Sequence, residues 1–304
     1  MTVLVTQLNA LLRSTLAAGA ALGVFAVASA ASAATQLMWQ DRDVARMVSL
    51  GGSCARCELS GRNLSGATFT GADFPNATLV GANLRGAALV GSNFSNSDFT
   101  RTDMRGVEIN GANFVGANFT DANLSGAEAM GAAFSRAVLA NTNLSSAEML
   151  GVNMNGAYAR NANFSGSELM GATLANMDAR GASFVGAEMA AANLRNGDFT
   201  GASFREAELN GASLAGAQLS RADFTGAVLA RTDIRGADLS RARGLTQEQV
   251  SQACADGGTR LPGRLTGRAC GGRMVTIRGV PPAPPAPPAP PVPRVRHFVM
   301  ADAD

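Results

Sequence analysis

The sequence predicts an all-β solenoid, and three observations carry that expectation. Every fifth residue from Leu59 to Leu239 is Leu, Phe, Met, Ile or Ala, without a break in phase. Two residues after each of these centres the chain mostly carries Gly or Asn, as at Gly81, Gly111 and Asn141. Two residues before it stands Ala in most units, and the exceptions are mostly small, such as Cys57, Ser92, Ser97, Thr102, Val107 and Gly197. A period of five matches neither the 3.6 of a helix nor the 2 of a long strand. Glycine in most units would also cost a helix about 1 kcal/mol each time. What fits is an extended segment of two or three residues followed by a corner, where Gly and Asn supply positive φ at little steric cost. Alternation along the extended part sends the small residue and the large centre inward, and the Asn, Asp or Glu between them outward.

Units such as Gly81-Ala82-Asn83-Leu84-Arg85 and Gly236-Ala237-Asp238-Leu239-Ser240 resemble those of the pentapeptide-repeat proteins. The resemblance spans residues 57–241 and implies a right-handed quadrilateral β-helix with four units, hence twenty residues, per coil. At about 4.8 Å per layer, a stack of about nine coils would be roughly 45 Å long. The phenylalanines support the twenty-residue coil independently. Phe74, Phe94, Phe114 and Phe134 are spaced by twenty, as are Phe164, Phe184, Phe204 and Phe224. Stacking would make each set a column, and the two columns would lie on opposite sides. The alanine centres Ala129, Ala159 and Ala179 are each followed five residues later by Phe, which reads as volume compensation in a narrow core. No unit can bury its apolar side alone, so stability is a sum over stacked neighbours, and both ends need caps because bare coils expose strand edges.

Residues 1–34 read as a signal peptide. Arg13 is the sole charge before Asp41, an apolar stretch runs over 16–28, and Ala31-Ser32-Ala33 offers a cleavage site near Ala33 and Ala34. The competing reading is an uncleaved membrane anchor. Residues 35–56, with Trp39, Val44, Met47 and Val48 among charges, are expected to form an N-terminal capping segment with a short helix; Trp39 reads as a packing residue. Residues 242–280 should form the C-terminal cap. Thr246-Gln247-Glu248-Gln249 has the form of a capping box, with Leu245 and Val250 placed as a hydrophobic staple, which predicts a helix over 247–254. Such a helix followed by a Leu-Pro, here Leu261-Pro262, is similar to the ends of family members. Residues 281–304 form a proline-rich tail, expected to be disordered overall, in which PPAPPAPPAPPVP should adopt a polyproline II spacer of about 40 Å. Beyond it, Arg294-Val295-Arg296-His297-Phe298 reads as a terminal extension or a docking peptide.

The four cysteines sit at the predicted ends. Cys54 and Cys57 form a CxxC, which by itself fits redox chemistry, half of a metal site or a structural bridge. A redox pair needs its first sulfur exposed at a helix N-terminus, whereas Cys57 occupies an inward position. A zinc site needs a second matched pair, and Cys254 and Cys270 are sixteen apart. In an oxidising compartment the four suit two local disulfides, 54–57 and 254–270, and a Ser-Cys-x-x-Cys at the start of the coil also resembles family members.

Composition argues against catalysis and against strong nucleic-acid binding. No catalytic residue, cofactor or metal is expected: His297, the one histidine, lies in the tail. Tyr158 is the one tyrosine, and the acids Glu206 and Glu208 follow from the outward slots of the repeat. The Asn-x-Ser/Thr triplets at Asn118, Asn143 and Asn163 follow from it too. All basic residues are Arg, and net charge is +2 over the chain. The repeat is mildly acidic and the tail mildly basic. The expectation is therefore a non-enzymatic, exported scaffold, periplasmic or extracellular, with an unidentified protein partner in the envelope. Contact with membrane would come only through an uncleaved signal, and oligomeric state is open. The alternative that the resemblance implies is a DNA mimic binding DNA gyrase, a role at odds with an export signal and near-neutral charge. Arg160, Arg180 and Arg205 are surface candidates of equal standing, and no outward stretch departs from the repeat enough to be nominated as a binding face.

Overall fold

The computed structural model describes residues 52–270; the signal segment, the N-terminal capping helix, Trp39, His297 and the proline-rich tail lie outside the described residues. Each unit turns a corner and returns to the same side twenty residues later. The outward residue of one coil pairs in parallel with that of the next, from Ser53↔Asp73 to Asp223↔Arg243. Four units thus complete a coil, and the stack has four sides. In chain order, the first side carries the Ser53, Asp73, Asn93 column and the second the Glu58, Thr78, Asp98 column. The third carries Asn63, Asn83, Asp103, and the fourth Thr68, Ala88, Glu108.

Backbone hydrogen bonding explains why one residue per unit suffices. In the unit centred on Leu64, the Leu64 amide donates to Asn83 O at 2.7 Å and the Gly66 amide to Arg85 O at 2.9 Å, both one coil on. The Ala67 amide closes the corner onto Leu64 O at 3.0 Å. The third residue of that four-residue corner takes positive φ, +65° at Gly66 and +59° at Asn76, which is why Gly and Asn recur there. Short sides therefore form a ladder without conventional long strands.

The inward positions fill a core with little spare volume. Phe74, Phe94, Phe114 and Phe134 stack at centroid spacings of 5.5, 6.0 and 5.1 Å, and Phe164, Phe184, Phe204 and Phe224 at 4.9, 5.0 and 5.1 Å. The first set belongs to the first side and the second to the third, so the long aromatic column crosses the core midway. Ala129, Ala159 and Ala179 are all buried centres. Gly197 shows how tight the fit is: a Cβ there would lie 2.5 Å from the Phe199 ring and 3.2 Å from Met177 O. Hydroxyls in the small inward slots are satisfied by carbonyls, as Thr102 Oγ1 to Phe99 O at 2.7 Å and Thr142 Oγ1 to Phe119 O at 2.7 Å; in the first-side column, the covered Ser213 Oγ is the one side-chain oxygen among the described residues that is buried without a partner.

Both ends differ from the sequence expectation. The ladder starts at Ser53 rather than at residue 57, because Cys54 occupies a centre position and its amide donates to Asp73 O at 2.8 Å. It also runs past residue 241. At the far end helix α1, Gln247–Gln252, opens with the full capping box: Gln249 N to Thr246 Oγ1 at 3.2 Å and Thr246 N to Gln249 Oε1 at 2.8 Å. The Gln249 amide nitrogen also donates to Phe224 O and Ala227 O at 3.0 and 2.7 Å, satisfying carbonyls of the last coil. The helix stops short of Cys254 because the open coil edge claims that residue: Ile234 N donates to Cys254 O, and Cys254 N to Thr232 O, both at 2.8 Å. Arg260 then pairs with Asp238 and Leu261 is fully buried. The cap thus completes the ladder with residues outside the repeat.

Candidate functional site

The residues singled out by sequence do not converge. Cys54 is paired with Cys57, their Cα atoms 5.6 Å apart, at the first coil, and Cys254 with Cys270, at 4.9 Å, in the C-terminal cap. Asp233 lies beside the second pair, its carboxylate within 4.8 Å of both sulfurs. Bonded to each other, those sulfurs offer no thiolate to a metal. Tyr158 stands exposed in the second-side column, and Arg160 and Arg180 both reach Asp178 there, each at 2.8 Å. Arg205 is exposed at the corner between the third and fourth sides. Glu206, at φ +57°, is a corner residue while Glu208 points outward from the fourth side, so the two are not a carboxylate pair. Among the described residues no helix is long and apolar enough to cross a membrane.

What distinguishes the surface is the contrast between its sides. The third-side column is an amide ladder: Asn83 Nδ2 donates to Asn63 Oδ1 at 3.0 Å, Asn143 to Asn123 at 3.3 Å and Asn163 to Asn143 at 3.2 Å. Each oxygen also accepts from its own corner, as Asn143 Oδ1 does from Ser145 N at 3.1 Å. Asp103 interrupts the ladder, and Arg105 chelates it through two hydrogen bonds of 2.8 and 2.6 Å. That pairing holds the Asp103 carboxyl below the usual carboxylate range against the opposing pull of burial. Asp233 on the first side is lowered in the same way by Arg235. On the third side Asp223 is lowered by hydrogen bonds from the Thr225 side chain and amide.

The fourth side is different. Glu108, Glu128, Glu148, Glu168, Glu188 and Glu208 occupy consecutive layers of one column, all exposed. The corner leading away from them carries Met130, Leu150, Met170 and Ala190 in successive coils. Met130 and Met170, 43% and 46% exposed, together with Val228 at 40% in the same column as the glutamates, make three of the four large exposed apolar side chains among the described residues. The corner leading in carries Ser125, Ser145 and Ser165, with Arg85 and Arg105 only towards the N-terminal end and Arg205 towards the other. This side therefore offers a run of carboxylates edged by an apolar strip. Sequence reasoning passed over it because acids are ordinary in outward slots; the signal was there at a period of twenty.

The family profile described as Pentapeptide repeats matches in eight copies between residues 53 and 243. The chain belongs to the pentapeptide-repeat family, whose solved members are right-handed quadrilateral β-helices. Among solved structures it is similar to HetL, a pentapeptide repeat protein involved in heterocyst differentiation regulation in the cyanobacterium Nostoc sp. strain PCC 7120, at 26% identity over 72% of this chain and 98% of HetL, TM-score 0.48. It is also similar to QnrB1, a plasmid-mediated fluoroquinolone resistance protein, at 22% identity over 60% of this chain and 91% of QnrB1, TM-score 0.41. A third similar structure is a thylakoid-lumen pentapeptide repeat protein of Arabidopsis thaliana, at 27% identity over 33% of this chain and 67% of its own, TM-score 0.27. No curated protein sequence matches the chain. Proteins of this family are in general non-enzymatic scaffolds, and no catalytic family is indicated.

Proposed function

We propose that this protein is an exported scaffold of the cell envelope, a stiff β-helical stack of about nine coils, capped at both ends, that presents its long sides to a protein partner or holds partners apart. The observation that carries the scaffold reading is the unbroken ladder from Ser53 to Arg243. Every side repeats layer by layer, so outward side chains stand in straight columns and recognition is spread along a face rather than gathered in a pocket. Export draws support from the N-terminal charge and small-residue pattern and from cysteines paired at both ends of the stack, as suits an oxidising compartment. The gyrase-mimic alternative is not favoured: it calls for a strongly acidic surface, whereas here the acids are interspersed with arginines and the net charge is +2.

Cell fractionation with N-terminal sequencing of the mature chain tests the compartment. A periplasmic or secreted chain beginning at Ala34 or Thr35 supports the proposal. A full-length chain in the cytosol overturns export and makes gyrase supercoiling the next assay.

A further inference from the structure

We propose that the corner leading out of the first side, next to the C-terminal cap, is a binding pocket for a phosphate group gripped between Arg195 and Arg235. The scaffold reading calls for no such pocket, and the inference does not depend on the compartment.

The sequence opens the pocket by placing small residues between two large ones. Arg195, Ala215 and Arg235 occupy the same outward slot in three successive layers, and no other layer of the first side carries Arg there among the described residues. In the adjoining corner column Gly216 and Gly236 are the one pair of glycines in adjacent layers; elsewhere each glycine is flanked by Asn or Arg. The result is a cavity of about 290 Å³ with Ala215 and the two glycines beneath it. Asn196 borders it one layer before, its side-chain oxygen so near Gly216 that a Cβ there would lie 2.5 Å from it.

The cavity is rich in donors without partners. Asp103, Asp178 and Asp233 each chelate the arginine two residues later. Arg195 instead follows Asn193, whose oxygen accepts only the Arg195 amide, at 3.2 Å. The Arg195 guanidinium therefore has no ion pair among the described residues. Asp233, lowered first by its hydrogen bond from Arg235, also feels the charge of Arg195 two layers away, so both guanidiniums bear on the same stretch. Arg235 gives Nε and one terminal nitrogen to Asp233 at 2.9 and 2.8 Å and retains its other N–H groups. Asp256, the carboxylate in the lining, lies one layer beyond Gly236. Its Oδ1 already accepts from Gly236 N, Gly258 N and Thr259 Oγ1 at 2.9, 3.0 and 3.0 Å, and Arg235 stands between it and the gap.

The spacing selects the ligand. Two layers separate the arginines by about 9.6 Å. Two charge-assisted contacts of about 2.8 Å leave about 4 Å between them, room for one tetrahedral oxyanion with oxygens facing both ways. A carboxylate has both oxygens on one edge and suits a single guanidinium fork. The Asn196 amide is placed to donate to a third phosphate oxygen.

Isothermal titration of the full chain with inorganic phosphate at physiological salt tests the pocket, with a Kd on the order of 1 mM expected. Arg195→Gln should weaken binding about tenfold. Asn196→Asp, at a position with φ +57° that Asp tolerates, sets a carboxylate beside the gap and should weaken it at least as much. Arg205→Gln, the same change on another side, should leave it unaltered, and acetate should bind about tenfold more weakly than phosphate. All variants are first shown by their melts to be folded. Flotation with phosphatidylcholine vesicles containing phosphatidic acid identifies the source: capture that needs Arg195 assigns the phosphate to a lipid headgroup, and phosphate binding without capture assigns it to a soluble ester. No phosphate binding, binding indifferent to both Arg195→Gln and Asn196→Asp, or acetate bound as tightly as phosphate overturns the proposal.

Discussion

The third and fourth sides of the stack share a backbone, a core and a layer spacing, yet their outward columns are opposites. On the third side Asn63, Asn83, Asn123, Asn143 and Asn163 stand half-buried or exposed in register, and an amide can donate to the layer before while accepting from its own corner. Repetition there stabilises the fold. On the fourth side repetition places six carboxylates in adjacent layers, and a carboxylate accepts hydrogen bonds but donates none. Two unit charges about 4.8 Å apart repel by about 0.9 kcal/mol in bulk water, less when the side chains splay or salt screens them. Like charges directly opposite one another weaken a sheet. The same repeat thus yields one column that holds the stack together and one that opposes it, which marks the fourth side as a surface shaped by something other than stability.

The comparison is broken most completely through the core that both sides share. Phe114, fully buried, stacks on Phe94 and Phe134 and meets Phe99 and Phe119 edge-on at 5.5 and 5.3 Å. Phe114→Asp removes that packing and buries a carboxylate with no partner, a loss of about 5 kcal/mol or more. The cooperative melt should vanish, and a thermal transition unchanged from wild type would refute the inward assignment of the centres.

A smaller change separates the two sides. Asn143→Ala deletes the amide's hydrogen bonds to Asn123 and from Asn163, together with the acceptor for Ser145 N. A cost of about 2 kcal/mol is expected, read as a lower midpoint in denaturant with an unchanged slope. The exchange in the other direction, Glu128→Asn with Glu148→Asn, removes three repulsive steps of the glutamate column and installs two residues able to form the ladder. It should raise stability by about 1 kcal/mol. Equal effects of the same sign from the two variants would show that the columns do not differ in the way argued.

Much of this architecture is legible in the sequence, because each unit repeats the same chemistry. An inward small residue, an outward polar one, a large centre and a corner of positive φ recur at period five, and the Phe spacing of twenty gives the coil. The ends were less legible. Cys54 fills a centre without looking like one, and Cys254 and Arg260 complete the ladder from a segment with no repeat at all. The capping helix was predicted to reach Cys254, and tertiary pairing with Asp233 overrode that local preference. The fourth side was missed for a different reason. At period five Glu108 and Glu128 are separated by residues of three other sides, so each acid looks ordinary. At period twenty they become neighbours, and Met130, Leu150 and Met170, spread over slots that elsewhere hold Ser, Thr or Arg, become an edge.

The finest distinction between the two sides is in how each handles charge. Asp103 is the acid within the amide ladder, and its carboxylate is held by Arg105, with the Arg105 amide as a further donor at 3.3 Å. Its pKa is lowered in the folded chain, so the unfolded chain takes up the proton first. The stabilisation is present above the unfolded value, about 3.9, and is lost as pH falls through the lower folded value. Because the pair is largely exposed and screened by solvent, the effect is small. Asp103→Asn removes the charge and extends the amide ladder between Asn83 and Asn123, so the sign of its effect at neutral pH reflects two opposed changes. The pH dependence does not. The stability of wild type relative to Asp103→Asn should be constant from pH 7 to about 5 and decline below about 4. Melting both proteins across that range measures it, and a relative stability that rises on acidification would mean that Arg105 does not hold the carboxylate in solution.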